Sequence, residues 1–182
     1  NKIAVTIGNP MDVYGNKLDK NGDPENNQEF NYRKMNKKEI LSNLSDKIIE
    51  EFMNGTVVFP SSLIAFTSYQ IIKGKFKNID IINMISLPDD EVTIKLKYFK
   101  KYYIKTLKKV DELALDKRIR KSNELNLDID KQISIGCQKL GLYHTPRPLI
   151  IRNKSIIIKN MKMLYYYSNR LDGFGIEKCL SN

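Results

Sequence analysis

Asn1-Lys2-Ile3-Ala4-Val5-Thr6-Ile7-Gly8-Asn9-Pro10 decides how this chain is read. The apolar run Ile3 to Ile7 has the make-up of a β-strand, and a Gly-Asn-Pro turn closes it. A continuous apolar run, rather than an alternating one, suits a parallel-sheet strand buried on both faces, and such a strand needs neighbours. Hardly any other stretch of the chain offers a matching central strand. The expectation is that this strand closes a sheet whose other members, with the catalytic centre, lie upstream. The chain then reads as the C-terminal part of a longer protein.

Outward from that strand the pattern turns helical. Residues 17–35 read as an exposed loop, rich in Asn, Asp and Glu around Gly22-Asp23-Pro24. Asn36 with Glu39 has capping-box spacing, and Ile40, Leu41, Leu44, Ile48, Ile49 and Phe52 follow at helical spacing up to Asn54-Gly55. Thr56 to Phe59 is a short extended piece. Pro60 suits the first turn of a buried core helix over 61–73, stopped by Gly74. A short helix over 79–85 and a turn over 87–91 lead to a long helix over 93–117, and Asn123 to Leu125 connects this to a helix over 128–140, stopped by Gly141. Leu149–Arg152 and Ser155–Ile158 flank Asn153-Lys154, which predicts a hairpin. A last helix starts near Asn160 and ends at Gly173 or Gly175. No internal repeat is read. The expected fold is thus a mostly helical α/β fragment: 1–16 as the last strand of an α/β domain, 17–35 as loop, and 36–182 as a helical region with a small hairpin.

The composition, 41% hydrophobic and 29% charged, is that of a globular chain. Its net charge of +10 comes from 31 Lys and Arg against 21 Asp and Glu. Two explanations stand: codons rich in A and T, or attraction to an anionic surface of nucleic acid or phospholipid. Cys137 and Cys179 lie far apart without CxxC spacing, which points to a reducing compartment and no zinc site. No stretch reaches the ~18 apolar residues of a membrane span.

Few residues suggest chemistry. His144 is the lone histidine, seven residues from Cys137, and a lone His in a turn is ordinarily structural or solvated. No phosphate-loop glycine motif is present. Asp19, Asn21 and Asp23 alternate as in a calcium loop, but no Glu closes it, so no metal site is expected. On the long helix, Lys95, Lys97, Lys100, Lys101, Lys105, Lys108 and Lys109 surround Phe99, Tyr102 and Tyr103. These lysines read either as a solvated face over an aromatic stripe or as a surface that follows phosphates or lies on a membrane. Asn169, Arg170 and Asp172 read as docking the last helix, or as contacting a ligand.

Two stretches at opposite ends resemble one family. Lys2-Ile3-Ala4-Val5-Thr6-Ile7-Gly8-Asn9-Pro10-Met11-Asp12-Val13-Tyr14-Gly15-Asn16 resembles the segment that closes the acyltransferase domain of bacterial glycerol-3-phosphate 1-O-acyltransferases. Leu164-Tyr165-Tyr166-Tyr167-Ser168-Asn169-Arg170-Leu171-Asp172-Gly173-Phe174-Gly175 is similar to that group's C-terminal signature. Val57 to Phe66 and Leu140 to His144 look like its helical region. The resemblance implies a parent enzyme of phospholipid biosynthesis at the cytoplasmic face of the cell membrane. It transfers a fatty acyl group from acyl-CoA or acyl-carrier protein to glycerol 3-phosphate, and needs no cofactor beyond the acyl donor. The family's His-x4-Asp motif supplies its general base. Here His144 is followed at the fifth position by Leu149, so that dyad is missing, no catalytic residue is assigned, and the isolated chain is expected to be inactive. Gly8 and Pro10 match the closing strand-and-proline element and are the expected substrate-binding positions, as pocket-shaping backbone. The partners implied are an anionic membrane surface, the acyl donor and glycerol 3-phosphate. The alternative from another class is a basic helical nucleic-acid-binding module, although no recognised nucleic-acid-binding signature is present.

Overall fold

A computed structural model describes residues 4–25, 36–87 and 92–180. The element order is α1 (Lys37–Asn54), β1 (Val57–Val58), α2 (Pro60–Lys75), α3 (Ile81–Ile85), β2 (Thr93–Lys95), α4 (Leu96–Leu115), β3 (Arg120–Lys121), α5 (Ile129–Lys139), β4 (Leu149–Arg152), β5 (Ser155–Ile158) and α6 (Met161–Ser168). The fold is mostly helical α/β, as expected. Two compact units are formed, one of Asn1–Val57 with Lys117–Arg120, the other of Val58–Asp116 with Lys121–Asn182.

In the first unit the buried strand expected at Ile3–Ile7 does not form. Asn1 to Ile3 lie outside the described residues. Ala4 to Pro10 has no regular structure, and Val5 and Ile7 are 80% and 92% exposed. No described strand pairs with this run, so its apolar side chains have nothing to bury against. Side chains hold it instead: Thr6 Oγ1 donates to the Gly55 carbonyl at 2.9 Å, and Asn9 binds Glu51.

The exposed loop expected over 17–35 is described as far as Glu25; 26–35 lie outside the described residues. Its visible part repeats the turn before it. Asp12 Oδ1 accepts the backbone N–H groups of Tyr14 (2.8 Å) and Asn16 (2.9 Å), and Gly15 takes φ +86°. Seven residues on, Asp19 Oδ1 accepts those of Asn21 (2.8 Å) and Asp23 (2.9 Å), and Gly22 takes φ +87°. Met11 bridges Lys17, and Leu18 bridges Pro24. A short Asp-x-x-Gly-Asn/Asp repeat, not read from the sequence, therefore encodes two successive Asx-type turns. The Asp19 oxygen is spent on that turn.

α1 begins at the expected capping box: Asn36 accepts from the Glu39 N–H at 3.0 Å, and Glu39 accepts from the Asn36 N–H at 2.9 Å. None of its residues is buried.

The second unit is built around α2. Ser62 to Tyr69 are buried on every side, as an apolar run without a polar stripe dictates. α4, α5 and α6 pack against it. Thr67 Oγ1 donates to Thr106 Oγ1 at 3.2 Å, and Thr106 in turn donates to the Tyr102 carbonyl at 2.9 Å, which satisfies hydroxyls inside the α2–α4 contact. Gly74 is not the expected stop; α2 runs through it to Lys75.

The hairpin forms as predicted. Asn153 and Lys154 take φ +51° and +56°, the left-handed pair of a primed two-residue turn. It carries a third strand. Thr93–Lys95, expected as the start of the long helix, pairs antiparallel with β5, Ile94 opposite Ile156. Ile94, Ile156, Ile158 and Leu149 are buried, so alternation along three short strands covers the core. Of the expected turn over 87–91, Pro88 to Glu91 lie outside the described residues. The last helix is shorter than expected: α6 stops at Ser168 and continues as 3-10 turns over Asn169–Leu171 and Ile176–Leu180.

Candidate functional site

The two substrate-binding positions read from the sequence lie in the exposed N-terminal segment. A Cβ built on Gly8 meets Glu51 Oε2 at 3.4 Å and Glu51 Cβ at 3.7 Å, an ordinary contact that demands no glycine. Pro10 accepts the Leu18 N–H on its carbonyl at 3.0 Å. Both are exposed. Gly8, with Asn9 beside it, lies against a residue the sequence reading missed, Glu51 of α1, whereas Pro10 is held by Leu18. Glu51 Oε2 accepts the Asn9 backbone N–H at 3.1 Å, and the Asn9 side-chain amide donates to both carboxylate oxygens at 3.2 and 3.3 Å. Lys17 Nζ stands 3.5 Å from Oε1. The only sequence signal was a carboxylate on the polar face of an amphipathic helix, which has many ordinary uses.

The backbone N–H of Asn9, then its side-chain amide, hold the Glu51 carboxyl below the usual range; partial desolvation opposes them and Lys17 assists. A carboxyl whose pKa falls on folding stabilises the fold above its unfolded value of 4.5 and loses that contribution as pH falls through the lower folded value. Hydrogen exchange of residues 4–18, corrected for intrinsic rates, should therefore show protection that is constant above pH 5 and falls below about pH 4.5. In Glu51→Ala that protection should already be low at neutral pH and flat with pH. An unchanged profile in the variant would remove Glu51 as the anchor.

In the second unit, His144 Nε2 lies 2.9 Å from the Tyr167 hydroxyl. Desolvation, then the neighbouring Tyr166, push the Tyr167 phenol up, so it keeps its proton at neutral pH. The arrangement gives the single histidine a hydroxyl partner, a structural use. Leu171, Phe174 and Ile176 are buried, whereas Asn169, Arg170 and Asp172 face solvent. The turn over Asn169–Leu171 packs on α2 and that over Ile176–Leu180 on α4. Tyr165 stacks at a tilt on Tyr69, centroids 5.2 Å apart. The stretch over 164–175 is thus docked by its apolar members, and Asn169, Arg170 and Asp172 take no part in that packing.

Cys137 lines a cleft of about 250 Å³ with Arg147, Leu149 and Ile151. Burial pushes its thiol up to about 12, so at neutral pH it is protonated and lacks the thiolate that nucleophilic attack requires. Among the described residues no group of three His, Cys, Asp or Glu side chains gathers as metal ligands, and no helix is long and apolar enough to cross a membrane.

α4 carries the strongest charge. Phe99, Tyr103, Thr106, Val110 and Leu113 form its buried side. Lys100, Lys109 and Lys121 are paired with Asp130, Glu112 and Asp111 respectively. Lys97, Lys101 and Lys108 point to solvent and, like Lys105, have no carboxylate within ion-pair distance among the described residues. No protein-family model, curated protein or solved structure matches the chain.

Proposed function

We propose that this chain is the C-terminal part of a glycerol-3-phosphate acyltransferase of phospholipid biosynthesis. An α/β catalytic domain of the same protein, at the cytoplasmic face of the cell membrane, transfers a fatty acyl group from acyl-CoA or acyl-carrier protein to glycerol 3-phosphate. Gly8 and Pro10 shape the edge of that pocket with backbone.

The observation that carries this reading is the uncovered apolar surface of the first unit. Leu41, Ile48, Ile49 and Phe52 lie along one side of α1 and are all half-exposed or more, Phe52 at 82%. Val5 and Ile7, in the segment that resembles the closing strand of the acyltransferase domain, are exposed likewise, at 80% and 92%. Single exposed apolar residues are ordinary, but a helix of 18 residues that buries none of its side chains has the surface of an element meant to be covered. An α/β domain supplies the cover: a sheet edge for Ala4 to Ile7 and an apolar face for α1. The chemistry agrees with the division of labour. The acyl transfer needs a base for the 1-hydroxyl, and the lone imidazole is paired with Tyr167 and with no carboxylate among the described residues.

Antibodies against residues 36–180 test the reading. Immunodepletion of an extract of the source cells should remove glycerol-3-phosphate acyltransferase activity together with the antigen. The isolated chain, given glycerol 3-phosphate and acyl-CoA, should show no transfer above background. An extract that loses the antigen and keeps its activity would sink the proposal.

A further inference from the structure

The outer side of α4 has a composition that neither a solvated face nor a packed one explains. Lys97, Lys101, Ile104, Lys108 and Leu115 follow at steps of four, three, four and seven, which puts them on one stripe of the helix. From Lys97 to Leu115 the stripe runs about 27 Å at 1.5 Å per residue. Its three lysines are exposed. Between and beyond them Ile104 is 51% exposed and Leu115 82%. Lys105 flanks the stripe, its ammonium 5.8 Å from the centroid of the Tyr102 ring. Half-exposed Tyr98 lies on the same flank, its hydroxyl donating to that of Tyr102 at 2.9 Å. The carboxylates nearby are already engaged: Glu112 by Lys109 at 2.8 Å and Asp111 by Lys121. Glu112 also lies within electrostatic reach of Lys108, while Lys97 and Lys101 have no ion pair among the described residues.

We infer that this stripe is a docking surface for an anionic phospholipid bilayer, with Lys97, Lys101 and Lys108 on the headgroup phosphates and Ile104 and Leu115 buried at the acyl boundary. Charge complementarity selects an anionic partner, supported by the chain's net charge of +10. The two apolar side chains select lipid over nucleic acid. A phosphodiester backbone offers them nothing to bury against, whereas a bilayer interface takes both the ammonium groups and the apolar tips, with the long lysine stems reaching back to the phosphates. The inference rests on the membrane setting of the proposed function and names the surface that meets it. Its test reads lipid contact rather than acyl transfer, so the two can fail separately.

The 182-residue chain should float with vesicles of about 30% phosphatidylglycerol in phosphatidylcholine and not with pure phosphatidylcholine; raising salt above about 0.3 M should release it. The variant with Lys97→Glu, Lys101→Glu and Lys108→Glu should lose about 100-fold or more in partition coefficient, at roughly five-fold or more per lysine. All three side chains are exposed, so its helical circular dichroism should match the parent. A second variant, Ile104→Ser with Leu115→Ser, keeps every charge and should lose about ten-fold with an unchanged salt dependence. Equal flotation with neutral vesicles would overturn the inference, as would undiminished binding by the charge-reversed variant. Tighter retention on a duplex oligonucleotide, indifferent to Ile104 and Leu115, would overturn it in favour of nucleic acid.

Discussion

Replacing Gly136 by alanine is expected to destabilise the second unit by about 3 kcal/mol, while the same replacement at Gly74 leaves it slightly more stable. Both glycines sit in helices, so intrinsic propensity favours alanine at each by up to about 1 kcal/mol. Space separates them. Around Gly74 a Cβ meets nothing within 4 Å, and the gain, reduced near a helix end, is about 0.5 kcal/mol. At Gly136 a Cβ would collide with Ile64 Cδ1 and lie 2.8 and 2.9 Å from the backbone carbon and oxygen of Pro60. The isoleucine methyl can rotate away. The Pro60 carbonyl belongs to the first turn of α2, whose neighbouring residues are buried, and can move only with the helix. α5 must therefore back off from α2, opening the core at the contact. At 2–4 °C per kcal/mol for a chain of this size, Gly136→Ala should melt roughly 6–12 °C lower and Gly74→Ala at or just above the parent. Equal melting temperatures for the two variants would show that α5 is not held at that approach.

Gly136 illustrates what the sequence withholds. A glycine inside a helical pattern reads as a weak spot, and only the packing reveals that it is the contact point. Gly141 was legible because its role is local: it stops α5 at φ +64°, as a glycine following an apolar helical run should. Local rules likewise located the α1 capping box, the buried α2 and the primed turn at Asn153-Lys154. They failed where pairing is non-local. Thr93–Lys95 carries three residues of strand, too few to show alternation, and it becomes a strand because Ser155–Ile158 lies beside it. The reverse error, at Ile3–Ile7, has the same root. Four apolar residues and a β-branched Thr have the make-up of a strand, but among the described residues nothing pairs with Ala4 to Ile7. Of the candidate site, Gly8 and Pro10 were singled out only through a resemblance, whereas Glu51, 42 residues from the Asn9 it binds, carried no signal of its own. The stripe on α4 was half legible: the lysines and their spacing stood in the sequence, but which of them were already paired did not.

Gln132 is the second residue whose loss should be felt across the whole unit, through hydrogen bonding rather than volume. It is 1% exposed on α5, and every polar atom of its amide is used. Nε2 donates to the carbonyls of Leu125 at 3.0 Å and Leu127 at 2.7 Å; Oε1 accepts from the Tyr103 hydroxyl at 3.0 Å. One side chain therefore ties α4, the turn over Asn123–Asn126 and α5 together. Gln132→Leu keeps most of the volume and strands one buried hydroxyl and two carbonyls. At about 1–3 kcal/mol for each buried polar group left unpaired, with Leu127 near the surface counting least, the cost should be about 4 kcal/mol. Tyr103→Phe strands only Oε1 and should cost about 1–2 kcal/mol. The double variant should fall short of the sum by about 1 kcal/mol, because Gln132→Leu no longer leaves a hydroxyl without an acceptor. The pH dependence gives an independent check. Burial, then the proximity of Cys137, push the Tyr103 phenol far above its ordinary 10.0. A raised pKa stabilises the fold fully below the unfolded value and loses that contribution as pH climbs above 10, where the unfolded chain gives up the proton first. Stability from this network should be flat between neutrality and pH 9 and decline beyond pH 10, and Tyr103→Phe should remove its share of that decline. Denaturant unfolding of the four proteins across that range decides the matter: strict additivity of the two substitutions, or a Gln132→Leu cost under about 1 kcal/mol, would mean that the amide fills space without bracing the unit.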